Sequence, residues 1–302
     1  MGGSAVLQFL QLAINGTAIG CIYALVALGF VLIYKATEVV NFAQGELMML
    51  GAFFGYTFVS IWGAPYWLGM VGAVAATALF GALLERVVLR PMVGQPQFAL
   101  VMLTIGVGFL ARSAATMVPG WGTGTHAIAT PFSDDAIVLA GAGDGRLVVS
   151  PIYLAVIVAT LLLVALLALF FRFTRYGVAM QAVSQNQLAA YYMGIPVKTV
   201  FMGIWGLSAG VAAVAGLLLA PITLVEASMG FIGLKAFPAA VLGGFGSLPG
   251  AVAGGLIIGI IEALAGFYLP AGFKDVAAYI VLLLVLLLMP QGLFGRVARK
   301  KV

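Results

Sequence analysis

Apolar residues in this chain neither alternate with polar ones nor recur along a single helical face. They come in continuous runs, roughly at residues 12 to 34, 46 to 61, 66 to 84, 99 to 117, 151 to 171, 200 to 222, 252 to 268 and 276 to 294, with a shorter one near 231 to 246. About 20 apolar residues in a helix match the hydrocarbon thickness of a bilayer. In lipid only helices and closed barrels satisfy their own backbone, and these runs lack the alternation of barrel strands. The pattern predicts an all-α polytopic membrane bundle of about eight or nine transmembrane helices, some broken or re-entrant, forming a single domain over residues 1–302.

Two stretches interrupt the apolar pattern at membrane depth. In "ATEVVNFAQGELMML", Asn41, Gln44, Gly45 and Glu46 follow the first run directly. In "LKAFPAAVLGGFGSLPGAVAGG", Pro238, Gly243, Gly244, Gly246, Pro249 and Gly250 punctuate the short run and the start of the next. Irregular backbone at that depth is tolerated where protein buries it or a watery cavity wets it, and interrupted helices in both halves of a transporter point to its conduit. Asn41, Gln44, Glu46, Gly243, Gly244 and Gly246 are therefore the candidate path or gate residues, with the glycine-rich stretch supplying the pivot.

A third stretch, "TRYGVAMQAVSQNQLAAYYMGIP" from Thr174 to Pro196, is polar and helix-shaped between two oily runs. Gly194 and Pro196 provide a helix stop. Ser184 followed by Gln187 reads as a capping box, which divides the segment into helices at about 176–183 and 185–193. Interfacial anchor helices carry a Lys/Arg-rich polar face; this segment is polar but nearly uncharged and alanine-rich, which suits a groove on a protein partner.

Composition agrees with the pattern: 64% of the 302 residues are hydrophobic and 8% charged, with a mean hydropathy of +1.19, outside the range of soluble domains. The net charge of +5 is scattered over short connections, which argues against nucleic acid and for orientation. With the N-terminus outside, Lys35, Arg86, Arg90, Arg172, Arg175, Lys198, Arg296, Arg299, Lys300 and Lys301 fall in the cytoplasm, as the positive-inside rule requires. Arg112, Arg146, Lys235 and Lys274 then lie near or beyond the outer face. This parity needs nine crossings, including the short run near 231 to 246. The Pro119–Pro151 connection, with Asp134, Asp135, Asp144 and Arg146, predicts a small outer cap. The start of the chain has no basic leading region or small-residue cleavage site, so the first helix is expected to act as its own insertion signal.

Several patches in order carry a family resemblance: "YALVALGFVLIYKATEVVNFAQGELMMLGAF" (23–53), "LLERVVLRPM" (83–92), "GLKAFPAAVLGGFGSLPGAVAGG" (233–255) and "PQGLFG" (290–295). With them stands the series Arg175, Gly177, Ala182, Asn186, Ala189, Ala190, Gly194 and Ile195. Together they resemble LivH-type permeases of branched-chain amino acid ABC uptake transporters. The resemblance implies an inner-membrane permease subunit working by alternating access. It implies a second homologous permease, two cytoplasmic ABC ATPase subunits and a periplasmic solute-binding protein as partners. It also implies coupling helices at about 176–193 that dock on an ATPase, with Arg175, Gly177, Ala182, Ser184, Asn186, Gln187, Ala189 and Gly194 as candidate coupling residues. Gln181 and Gln185 depart from the family, where a basic and an acidic residue are common, so salt bridges at those two positions are not expected.

The remaining chemistry is sparse. No G-x-x-x-x-G-K-[ST] occurs, so ATP binding by that route is excluded. "GVGFLA" at 106–111 lies inside a spanning run with no strand before it and is no dinucleotide motif. A lone His126 and a lone Cys21 make no metal site, and no cofactor or catalytic residue is expected. Ionisable groups in a membrane are functional candidates by default. Among the acids, Glu85 beside Arg86 reads as structural, Glu226 lies near an outer helix end, and Glu262, inside the eighth run, is a buried acid with either a packing or a coupling role. The alternative function is an ion-coupled secondary transporter using Glu46 or Glu262; a scaffold without a conduit is the third class.

Overall fold

The computed structural model describes residues 2–92, 94–132, 137–140, 147–270 and 272–295. The basic tail (Arg296, Arg299, Lys300, Lys301) and Asp134, Asp135, Asp144 and Arg146 lie outside these. The helices are α1 (Gly2–Thr37), α2 (Gln44–Tyr56), α3 (Tyr66–Leu84), α4 (Gln97–Met117), α5 (Pro151–Phe173), α6 (Arg175–Gln185), α7 (Gln187–Tyr192), α8 (Val197–Thr223), α9 (Gly230–Gly243), α10 (Leu248–Tyr268) and α11 (Phe273–Leu288). Two short strands, β1 (Ile137–Ala140) and β2 (Leu147–Val149), pair antiparallel in the α4–α5 connection. Among the described residues six helices (α1, α3, α4, α5, α8 and α10, α3 with its extension to Met92) are long and apolar enough to cross a membrane. The shorter α2 and α9 are the expected broken ones, and α9, at 14 residues, is only about 21 Å long.

α1 and α8 are the most buried of the long helices. Their closeness to neighbours follows from small residues, because van der Waals packing replaces the hydrophobic effect between helices in lipid. Gly16, Gly20 and Ala24 repeat every fourth residue on α1 and meet Gly255, Gly259 and Ala263 of α10 so tightly that a Cβ on Gly16 would lie 2.8 Å from the Ile260 Cα. Gly81 of α3 sits likewise on Ala209 and Trp205 of α8. The outward faces of α3, α4, α5 and α11 expose Leu79, Phe109, Leu162 and Leu287, as a lipid or partner-helix boundary requires.

The packing has an internal symmetry that residue identities conceal. α1 packs on α10 as α8 packs on α3, α9 lies on α1 as α2 lies on α8, and α2 and α9 meet each other. Gly29 lies beside Ser208, whereas Ala36 borders the same cavity as Ile204 and Ile19 the same cavity as Leu219 and Ile222, so α1 and α8 run antiparallel. The units α1–α4 and α8–α11 are therefore related as inverted repeats, a common transporter architecture. Backbone geometry supports the match. Among the described residues the non-glycine positions with positive φ are Glu38 (57°) and Leu224 (67°). Each follows a threonine that ends its helix, Thr37 or Thr223, and each opens a link of the same length, 38–43 or 224–229, into a short helix.

Candidate functional site

The two links lead the N-termini of α2 and α9 into the middle of the bundle, where they meet. Gly45 rests on the Gly230 carbonyl and the Gly233 Cα, leaving no room for a Cβ on Gly45 or Gly233. From there α2 runs alongside α8, with Gly51 on Ala213 and Gly55 on Leu217. α9 runs the other way along α1, its Phe237 against Phe30.

Polar groups at this meeting point are paired, apart from the buried Nε of Arg112. Asn41 and Gln44 are completely buried. Asn41 Nδ2 donates to Gln44 Oε1 (3.3 Å), and Asn41 Oδ1 accepts from the Ala43 amide (3.1 Å). Gln44 Nε2 donates to the Ser208 carbonyl (3.3 Å), while Ser208 Oγ reaches the Gly29 carbonyl at 2.9 Å and Gln44 Oε1 at 3.1 Å. This knot ties α1, α2 and α8 together. Glu46, in the first turn of α2, is ion-paired to Arg112 Nη2 of α4 at 2.5 Å, and the guanidinium stacks 3.7 Å from the Phe231 ring centre. Both N-termini converge on the carboxylate; a Cβ on Gly230 would sit 2.9 Å from Glu46 Oε1. Helix N-termini favour an anion, and with the arginine they explain how an acid is held at this depth.

The sequence places Gly243, Gly244 and Gly246 with this group, and the structure does not. They form the turn between α9 and α10 at the end of the bundle near the elbow, where Gly244 takes φ 90° and the Leu293 and Phe294 amides bond the Leu242 and Gly243 carbonyls. Pro238 sits inside α9. The break that corresponds to 38–43 is 224–229, strapped by a backbone pair in which His126 and Val225 exchange amide bonds of 2.8 Å. His126 thus has a structural place, stacked on Tyr56 and bonded through its ring to the Trp121 carbonyl.

The elbow is two helices, as expected, with different caps. Ser184 lies inside α6 and its hydroxyl bonds back to the Gln181 carbonyl (2.8 Å), the usual competing use of a helical serine. The caps are Thr174, accepting from the Gly177 amide, and Asn186, extended at φ −157° and accepting from the Ala189 amide, both at 2.9 Å. Gln187 is thereby released from capping and donates through Nε2 to the Ala36 carbonyl at 2.9 Å. Gly177 backs directly onto Phe170 and Phe171, so the α5–α6 corner admits no side chain there, and Gly194 (φ 81°) ends the elbow. Arg175 and Ala189 are exposed and Ala182 half-buried. Met180, Val183 and Ala190 face the bundle, while Leu188, Tyr191, Tyr192 and Met193 stand exposed, Met193 at 82%. Such a cluster of exposed apolar side chains beside polar groups marks an interaction surface.

Glu85, Glu226, Glu262 and Asp275 are also partnered. Glu85 is buried and pairs with Arg90 (2.8 Å), not with its exposed neighbour Arg86, because one helical step turns Arg86 away. Glu226 accepts from the Ser228 hydroxyl. Glu262 accepts from Tyr23 Oη (2.5 Å) and Lys235 Nζ (3.1 Å), and Lys235 also reaches Asp275 (2.6 Å). Among the described residues no cluster of His, Cys, Asp or Glu suited to a metal is present. Sequence reasoning missed Arg112 as the partner of Glu46, although a lone arginine within an apolar run was the available signal; Ser208, amid alanine and glycine, gave none.

These features define a polytopic helical membrane protein of transporter type, with two half-helices meeting in its centre and a polar elbow at one end. The chain belongs to the family described as branched-chain amino acid transport system / permease component, whose model matches residues 12–289. It is 34% identical over 307 residues to the high-affinity branched-chain amino acid transport system permease protein LivH of Escherichia coli (strain K12), covering 98% of both chains. Identity and coverage are the same against the corresponding permease protein BraD of Pseudomonas aeruginosa. A probable branched-chain amino acid transport permease protein LivH of Methanocaldococcus jannaschii is 27% identical over 90% of this chain and 88% of its own. Among solved structures, PsaBC from Streptococcus pneumoniae in complex with Fab matches with a TM-score of 0.51, covering 94% of this chain and 92% of that one. At 16% identity that likeness concerns the fold alone.

The chain is accordingly a membrane permease component of an ABC importer family and is not itself the ATPase. It is a multi-pass membrane protein that works with ABC partners.

Proposed function

We propose that this chain is a single permease domain that imports branched-chain amino acids or related small polar solutes by alternating access. Its partners in this reading are a second homologous permease, two cytoplasmic ABC ATPases and a periplasmic solute-binding protein. The N-terminus faces the periplasm and the C-terminus the cytoplasm; α1–α5 and α8–α11 make nine crossings, with α2 and α9 as half-helices completed by their links. The elbow, 175–194, is the coupling device, and Asn41, Gln44 and Glu46 with Arg112 form the central gate. Gly243, Gly244 and Gly246 act as a pivot near the elbow instead of lining the path.

One observation carries the reading. Gln187 on the elbow is hydrogen-bonded to Ala36, two residues before the strained Glu38 link that leads to Asn41 and Gln44. A push on α7 is thereby delivered to the end of α1 and to the gate, the kind of short rigid path that domain motions use. The ion-coupled alternative loses support because Glu46 and Glu262 each hold a cationic partner. The test is ATP-driven leucine uptake by the reconstituted assembly. Gln187→Ala should leave ATP hydrolysis in place and lower uptake per ATP; uptake that stays fully coupled would reject the path.

A further inference from the structure

A second polar centre lies away from the gate. α1, α8, α9 and α10 line an open cavity of about 470 Å3, within the range of about 300–1,000 Å3 usual for small-molecule sites, with Tyr153 of α5 and Lys274 of α11 among its lining residues. Tyr23, Lys235 and Glu262 line it on one side, and Ile19, Leu219, Ile222 and Ile232 supply apolar walls. We infer that this cavity is a binding site for a zwitterionic, aliphatic amino acid inside the permease itself, a deepening that rests on the permease reading above.

The polar groups are built for such a ligand. Lys235 spends two of its three ammonium donors, on Glu262 at 3.1 Å and on Asp275 at 2.6 Å, which leaves one for a ligand carboxylate. Glu262 accepts one bond on each oxygen, from Lys235 and Tyr23, and a carboxylate has about four acceptor positions, so an ammonium can join. Of the lining charges, the ammoniums of Lys235 and Lys274 are balanced by the Glu262 carboxylate and by Asp275, an exposed residue just outside the lining that pairs with Lys235. The site is therefore neutral as a whole and favours a ligand whose own charges cancel. Aliphatic walls next to that pair select a branched apolar side chain. Ionisable groups at membrane depth are costly and mark solute pathways; Tyr23 ties Glu262 to α1 through one carboxylate oxygen, and the close approach of α1 to α10 is made by Gly16, Gly20, Gly255 and Gly259.

The test uses the full-length chain in nanodiscs with Cys21→Ser and a reporter thiol at Ile222→Cys, labelled by a small hydrophilic thiosulfonate. Leucine should slow labelling saturably, and valine and isoleucine should do the same. Leucinamide, which lacks the carboxylate, and 4-methylpentanoate, which lacks the ammonium, should not. Glu262→Gln keeps the Tyr23 bond and should raise the half-protecting leucine concentration at least tenfold. Ile232→Trp fills the cavity without touching the charges and should abolish protection at unchanged thermal stability. The inference is overturned by a thiol that never labels, by no protection up to the solubility of leucine, by equal protection from the two analogues or from lipid, or by protection that survives both substitutions. In the assembled transporter, Ile232→Trp with unaltered leucine uptake removes the site and leaves the permease reading standing. A wild-type assembly without ATP-driven uptake removes that reading instead.

Discussion

Replacing Arg112 by methionine keeps most of the aliphatic stem against Phe231 and removes the charge that faces Glu46. The pair is 2.5 Å apart, with side chains only 15% and 12% exposed, so the carboxylate cannot recover its hydration. Removing one partner of a buried pair typically costs about 3–5 kcal/mol. The N-termini of α2 and α9 still stabilise Glu46, each by about 0.3–1 kcal/mol, which brings the expected loss to about 1–4 kcal/mol. Glu46→Gln in the same chain removes the stranded charge, and because neutral replacements of both partners are often close to neutral, the double variant should return to within about 1 kcal/mol of the parent. Unfolding of the purified chain in mixed micelles, titrated with dodecyl sulfate, measures the cycle. A single variant as stable as the parent, or a double variant no better than the single, would refute the placement of this pair in a dry centre.

Other substitutions probe other parts of the same account. Gly233→Val drives a side chain into the Gly45 backbone and should prevent α2 and α9 from meeting, read as loss of the folded chain in size-exclusion chromatography. Asn186→Ala removes the α7 cap and should cost about 1 kcal/mol of stability, measured in the same micelle titration. Leu188→Asp and Tyr192→Asp alter side chains that are 63% and 76% exposed; each should leave folding intact and abolish recovery of ATPase subunits when the assembly is purified through this chain.

The membrane class and the existence of the elbow were legible because both rest on local composition: an oily chain cannot hide a segment holding Gln181, Gln185, Asn186 and Gln187. Asn41, Gln44 and Glu46 were legible for the same reason, as polar residues directly after an apolar run. Their partners were not, because Arg112 and Ser208 lie 66 and 164 residues away and no local pattern encodes that distance. The capping box at Ser184 and Gln187 failed since Asn186 competes for the cap and turns Gln187 toward Ala36. The glycine-rich stretch reads as the second interruption, whereas the link that corresponds to 38–43 falls at 224–229, where "LVEASM" carries neither proline nor glycine. The repeat itself escaped notice because it is kept in backbone shape, at Glu38 and Leu224, more than in residue identity.

Cross-linking of the elbow is the most direct measurement of the central claim. With Cys21→Ser and Ala189→Cys, the reconstituted assembly should form a disulfide or short thiol cross-link to an ATPase subunit whose yield changes when ATP is trapped. A thiol at position 189 that instead reacts with an impermeant reagent from the periplasmic side of intact cells, and never joins the ATPase, would contradict it.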